Sequence, residues 1–106
     1  MRVWLYARLS NDDDQEMNSL LNQQEICQAF AEQHGYIIVG QSFDDNVSGM
    51  SFDRRGLDEL TAAVDADKID AVIVKDLSRL GRHRTQTALF IDYLREHQAR
   101  VISATE

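Results

Sequence analysis

The run Asp70-Ala71-Val72-Ile73-Val74 constrains the fold most. It is continuously apolar and β-branched, with none of the polar alternation of a strand that has one wet face. Such a run suits a central strand covered on both faces, and that cover is usually helical. Elements consistent with this lie on either side of it. Arg2-Val3-Trp4-Leu5 leads a first strand into Tyr6-Ala7-Arg8-Leu9-Ser10, and Tyr36-Ile37-Ile38-Val39-Gly40 reads as a second. Arg100-Val101-Ile102-Ser103-Ala104 begins a fourth.

Helical spacing fills the gaps. Ser19 or Asn18 can cap a helix whose face carries Leu20, Cys27, Phe30 and Ala31, and Gly35 after His34 can end it. Asp53 is placed to cap a second helix with the stripe Leu57, Leu60, Thr61 and Val64. A third is expected from Arg84 to Gln98, burying Ala88, Ile91 and Leu94. Polar loops are expected over Asn11–Glu16, over Asp44–Ser51 around Gly49, and over Lys75–Arg82. The order β-α-β-α-β-α-β predicts an α/β domain with a mainly parallel sheet and helices on its faces. A core ending on its fourth strand looks truncated.

At 106 residues the chain is one small domain, and its 43% hydrophobic content argues against disorder. No long apolar run or signal-peptide pattern is present, so a soluble, cytoplasmic protein without membrane contact is expected. The single cysteine, Cys27, excludes an internal disulfide and reads as a core residue. His34, His83 and His97 show no ligand spacing, so no metal site and no cofactor are expected. A net charge of −7 counts against a free-standing nucleic-acid binder.

In a parallel sheet the C-terminal ends of all strands share one edge, where such folds usually carry their sites. The first strand brings Arg8 and Ser10 there, with Tyr6 on the same side. The loop after the second leads to Arg54, and the third leads to Arg79 and Arg82. One hydroxyl among four guanidinium groups suits attack on a phosphodiester. Arginine forks pair with non-bridging oxygens and stabilise the charge that builds up in the transition state, while the serine serves as covalent nucleophile. The bland reading is that the serine is a turn residue and that the arginines, like Arg55 and Arg84, are simply solvated.

Three blocks in order, Tyr6-Ala7-Arg8-Leu9-Ser10, Ser48-Gly49 with Asp53-Arg54-Arg55-Gly56-Leu57, and Asp76-Leu77-Ser78-Arg79-Leu80-Gly81-Arg82, resemble the catalytic domain of serine site-specific recombinases, the resolvase/invertase family. The likeness spans essentially the whole chain, residues 1–106, and implies a three-layer resolvase-like fold. It implies that Ser10 forms a 5′-phosphoserine link to DNA and leaves a free 3′-hydroxyl, with Arg8, Arg54, Arg79 and Arg82 as the active-site arginines. It also places Gln23 in the active site and gives Tyr6, Asp45, Ser48 and Asp53 supporting positions. Ser78 stands where small resolvases have an aspartate, and Ala63 where a lysine is common. Asp-Leu-Ser-Arg and Asn22-Gln23 look instead like the large serine recombinases and transposases of mobile elements. The resemblance implies DNA as partner, a homodimer and synaptic homotetramer in the full-length protein, and C-terminal parts missing here, without which the fragment is expected to be inactive. Two other readings stay open. Asp12, Asp13 and Asp14 with Asp76 suggest a receiver-like phosphoacceptor domain, and the fold could also serve as a catalytically inactive interaction domain.

Overall fold

The fold is that of a computed structural model, which describes residues 1–10, 13, 18–46, 54–81 and 84–106. Its elements run β1 (Arg2–Ser10), α1 (Leu20–Gln33), β2 (Ile37–Asn46), α2 (Arg55–Asp65), β3 (Ala71–Val74), a 3-10 turn (Leu77–Leu80), α3 (Arg84–Glu96) and β4 (Arg100–Ser103). The strands lie in the order β2-β1-β3-β4, and every neighbouring pair is parallel. All four strands therefore end on one edge, as the alternation of elements requires.

Two apolar layers hold the helices to the sheet. On one face Val3, Leu5, Ala71 and Ile73 pack against Cys27 and Ala31 of α1. On the other, Tyr6, Val72 and Val74 pack against Leu60, Ala63 and Val64 of α2 and Leu94 of α3. β3 is buried along its whole length, which is why its sequence shows no polar alternation. Ala63, the position where a lysine was considered, lies in this core with 5% of its surface exposed.

Ser19 caps α1, its hydroxyl accepting the Asn22 amide at 3.1 Å, and Gly35 follows at φ 70°. Leu20 and Phe30 are only half-buried. One turn before Cys27, Gln23 is fully buried.

Three sequence expectations are corrected. β2 does not stop at Gly40 but runs to Asn46, so Asp44, Asp45 and Asn46 belong to a strand rather than a loop. The cause is β1, nine residues long, whose backbone β2 follows to the end: Arg8 opposes Asp44 and Ser10 opposes Asn46. Ala88 is exposed, because α3 packs along the Phe90, Ile91 and Leu94 side of its C-terminal half. α3 ends at Glu96, before the left-handed Gln98 at φ 63°. The expected cap Asp53 lies outside the described residues. Arg54 holds the cap position of α2 but makes no side-chain capping bond.

Candidate active site

The site is built where β1 and β2 end. Along β2, Ser42, Asp44 and Asn46 point inward while Gln41, Phe43 and Asp45 are exposed, the two-residue period of a strand. Asp44 is 1% exposed, and a buried carboxylate needs several donors. It has three: the Tyr6 hydroxyl at 2.7 Å, the Gly56 amide at 2.7 Å and the Leu57 amide at 3.0 Å. The two amides are open donors of the first turn of α2, so Asp44 caps that helix from the neighbouring strand and meets the positive end of its dipole. Gly56 is needed for this approach, since a β-carbon there would stand 2.4 Å from the Phe43 carbonyl oxygen. The Ser42 hydroxyl closes the joint by donating to the Gly56 carbonyl at 2.7 Å. Arg54, immediately before α2, is positioned by this bolt.

Arg8 leaves the next strand toward the 3-10 turn. Its Nη2 donates to the Ser78 carbonyl at 2.6 Å and to the Gly81 carbonyl at 3.1 Å. Gln23 grips the same residue from α1. Its Oε1 accepts the Arg8 amide at 3.2 Å, and its Nε2 donates to the Arg8 carbonyl at 2.9 Å and the Asn18 carbonyl at 2.8 Å. Gln23 therefore pairs with the outer backbone of β1 as a short piece of strand would, and it fixes where Arg8 and Ser10 stand.

Arg79 is 5% exposed although it carries a charge. Its Nη1 donates to the Arg8 carbonyl and to Asp13 Oδ2, both at 2.8 Å, and its Nη2 donates to Asp76 Oδ2 at 3.3 Å. Burial pushes the guanidinium toward losing its proton, but the two carboxylates outweigh that and raise its pKa. Burial likewise pushes Asp13 up, while the bonds from Arg79 and Ser10 more than offset it and hold the carboxyl below its ordinary value. Ser10 donates to the same Asp13 oxygen through its amide at 2.9 Å and its hydroxyl at 3.2 Å.

A cavity of about 340 Å³ opens between these elements, with Tyr6, Arg8, Asp44, Arg54 and Arg79 in its wall and Phe90 of α3 across from them. Three of the four arginines singled out in the sequence thus meet in one space. Arg82, Ser48 and Asp53 lie outside the described residues. Ser10 does not line the cavity; it joins the wall through Asp13 and Arg79. Asp45 is exposed, and its neighbour Asp44 makes the bond to Tyr6. Among the described residues no group of three or more His, Cys, Asp or Glu could hold a metal ion.

Sequence reasoning missed Asp44 and Asp76 as partners within the site, and it read Asp13 as part of a solvated loop. The polar alternation Ser42-Asp44-Asn46 was the available signal, since every second residue of an edge strand facing α2 has to be satisfied there. Asp76 and Asp13 carried none, because their partner Arg79 lies on another element or one turn away.

A parallel α/β sheet thus carries guanidinium groups gathered at its C-terminal edge, with a hydroxyl beside them. The family is shown by comparison. A family model described as "Resolvase, N terminal domain" matches residues 3–106, and the chain belongs to that family. Its fold is similar to that of a resolvase family site-specific recombinase from Streptococcus pneumoniae, at 27% identity and TM-score 0.84 over 98% of this chain and 72% of that one. It is also similar to the C-terminal catalytic domain of ISC1926 TnpA, an IS607-like serine recombinase, at 25% identity and TM-score 0.80 over 98% and 70%. The N-terminal catalytic domain of TP901-1 integrase shares the fold at 24% identity and TM-score 0.82, over 98% and 77%.

Proposed function

We propose that the chain is the catalytic domain of a serine site-specific recombinase that cuts and rejoins DNA through Ser10. The Ser10 hydroxyl oxygen attacks the phosphorus, gives up its proton and forms a 5′-phosphoserine link, so that no proton is gained or lost overall once the 3′-oxygen is protonated. The 3′-oxygen leaves and takes up a proton as a free hydroxyl. Reversal by a 3′-hydroxyl from another strand reseals the backbone, so the phosphoester energy is kept and no external energy source is needed. Arg8, Arg54 and Arg79, with Arg82, hold the non-bridging oxygens and stabilise the added charge of the transition state. Tyr6, Gln23, Ser48, Asp45 and Asp53 support that geometry.

The observation that carries this reading is the meeting of Arg8, Arg54 and Arg79 in one cavity wall, with Ser10 tied to Arg79 through a single carboxylate oxygen. DNA is the substrate, and a dimer and synaptic tetramer form in the protein that carries this domain, because each nucleophile cuts one strand. The relatives among integrases and insertion-sequence recombinases favour a role in the movement of mobile elements. In that protein, Ser10→Ala should abolish the covalent protein–DNA adduct on denaturing gels while site binding persists. An undiminished adduct would remove Ser10 from the reaction.

A further inference from the structure

Three donors converge on one oxygen of Asp13: the Ser10 amide at 2.9 Å, the Ser10 hydroxyl at 3.2 Å and Arg79 Nη1 at 2.8 Å. A backbone amide, a hydroxyl and a guanidinium around a single anionic oxygen form the kind of nest that receives a phosphate oxygen. The carboxylate uses it incompletely. It meets Arg79 end-on through one nitrogen, and Arg79 Nε is buried with no hydrogen-bond partner among the described residues. A phosphodiester has two non-bridging oxygens and can engage a guanidinium fork side-on through two nitrogens. The charges point the same way. Arg79 is already paired with Asp13 and Asp76 and Arg54 with Asp58, so the site as it stands offers an incoming anion less attraction than its arginines alone would.

We propose that the Asp13 carboxylate is a resident anion, seated where one non-bridging oxygen of the scissile phosphodiester binds, and that the substrate must displace it to reach Ser10 and Arg79. This rests on the reading of the site as a phosphodiester site. The exchange breaks no covalent bond and leaves the charge of the nest unchanged, one monoanion replacing another. It frees the Ser10 hydroxyl from its hydrogen bond to Asp13. Until the exchange, nucleophile and arginine are both occupied, and the site is guarded against stray phosphates.

The test uses the dinucleotide thymidylyl-(3′→5′)-thymidine, which carries one phosphodiester and little else that is charged. Its affinity for the chain is measured by NMR titration at fixed ionic strength for the native protein, Asp13→Asn and Asp13→Ala. Two variants are used so that a local folding defect in one does not decide the outcome. Both should bind about tenfold tighter than the native chain, the scale of one like charge removed beside a partly screened site. Equal or weaker binding by both variants, including no binding by any of the three, would overturn the proposal. Loss of DNA cleavage in Asp13→Asn at unchanged dinucleotide affinity would also overturn it, and would make the carboxylate a proton acceptor instead. The Ser10 reading is tested separately by the adduct. If Ser10→Ala loses the adduct while the Asp13 variants bind no tighter, the resident anion alone fails. If the variants bind tighter while Ser10→Ala keeps its adduct, the nucleophile assignment alone fails.

Discussion

The two ends of the sheet each carry an arginine–aspartate pair, and they differ in nearly everything else. At the N-terminal end Arg2 meets Asp70 through the amide, Nε and Nη2, yet both side chains remain more than 40% exposed. At the C-terminal end Arg79 meets Asp13 and Asp76 with only 5% of its own surface exposed. The first pair stitches the start of β1 to the residue before β3 and sits in water. The second holds a buried guanidinium between two carboxylates. An ion pair in water contributes little, whereas a buried arginine costs a good deal unless it is paired, so keeping one needs a reason beyond stability. The comparison teaches that the geometry of a pair says less about its role than its access to solvent.

Substitutions can break that contrast. In the protein carrying the domain, Arg79→Ala and Arg8→Ala should each slow single-turnover DNA cleavage by about 10²–10³, the usual loss of a transition-state charge contact. Arg2→Ala should leave the rate within about twofold, since an exposed pair far from the chemistry contributes little. Equal losses at both ends would mean that the rates report folding rather than chemistry.

Stability should rank the ends in the same order. Asp44→Ala leaves the Tyr6 hydroxyl and two helix amides buried without an acceptor, and should cost about 3 kcal/mol in urea denaturation. Gly56→Ala forces a β-carbon against the Phe43 carbonyl and should cost about 2 kcal/mol. Asp70→Ala should cost clearly less than either, because its pair with Arg2 is exposed to water. A larger loss at Asp70 than at Asp44 would invert the comparison.

The smallest effect is one of pH. The hydrogen bonds from Arg2 hold Asp70 down to about 2, against an ordinary value of 3.8. A carboxyl depressed by folding stabilises the native state above its unfolded value, and that contribution is lost as pH falls through the folded value. The difference in stability between the native chain and Asp70→Asn should therefore be constant near neutrality and vanish between about pH 4 and pH 2. A difference that grows on acidification would have the wrong sign.

The layout was legible in the sequence because it rests on local periodicity. β3 announced itself by unbroken apolar residues, α2 by the spacing of Leu57, Leu60 and Val64, and the end of α1 by Gly35. The convergence of Arg8, Arg54 and Arg79 followed from a rule of topology, which needs only the order of elements. What stayed hidden depends on pairings distant in the chain. Asp44 looked like a loop residue because its donors, Tyr6 and the first turn of α2, lie on other elements. Gln23 was placed at the site by the family resemblance alone, and nothing in its own helix showed that its amide completes the hydrogen bonding of β1. Asp13 looked like one of several solvated carboxylates until Arg79 came to it across 66 residues.

Locating the covalent bond tests the central claim most directly. The protein carrying the domain is incubated with a nicked site that traps the cleaved state, then digested, and the peptide bearing the nucleotide is sequenced by mass spectrometry. The mass of a 5′-nucleotide should sit on Ser10. Finding it on Ser19, Ser78 or any other residue, or finding hydrolysed ends with no linked peptide at all, would contradict the account.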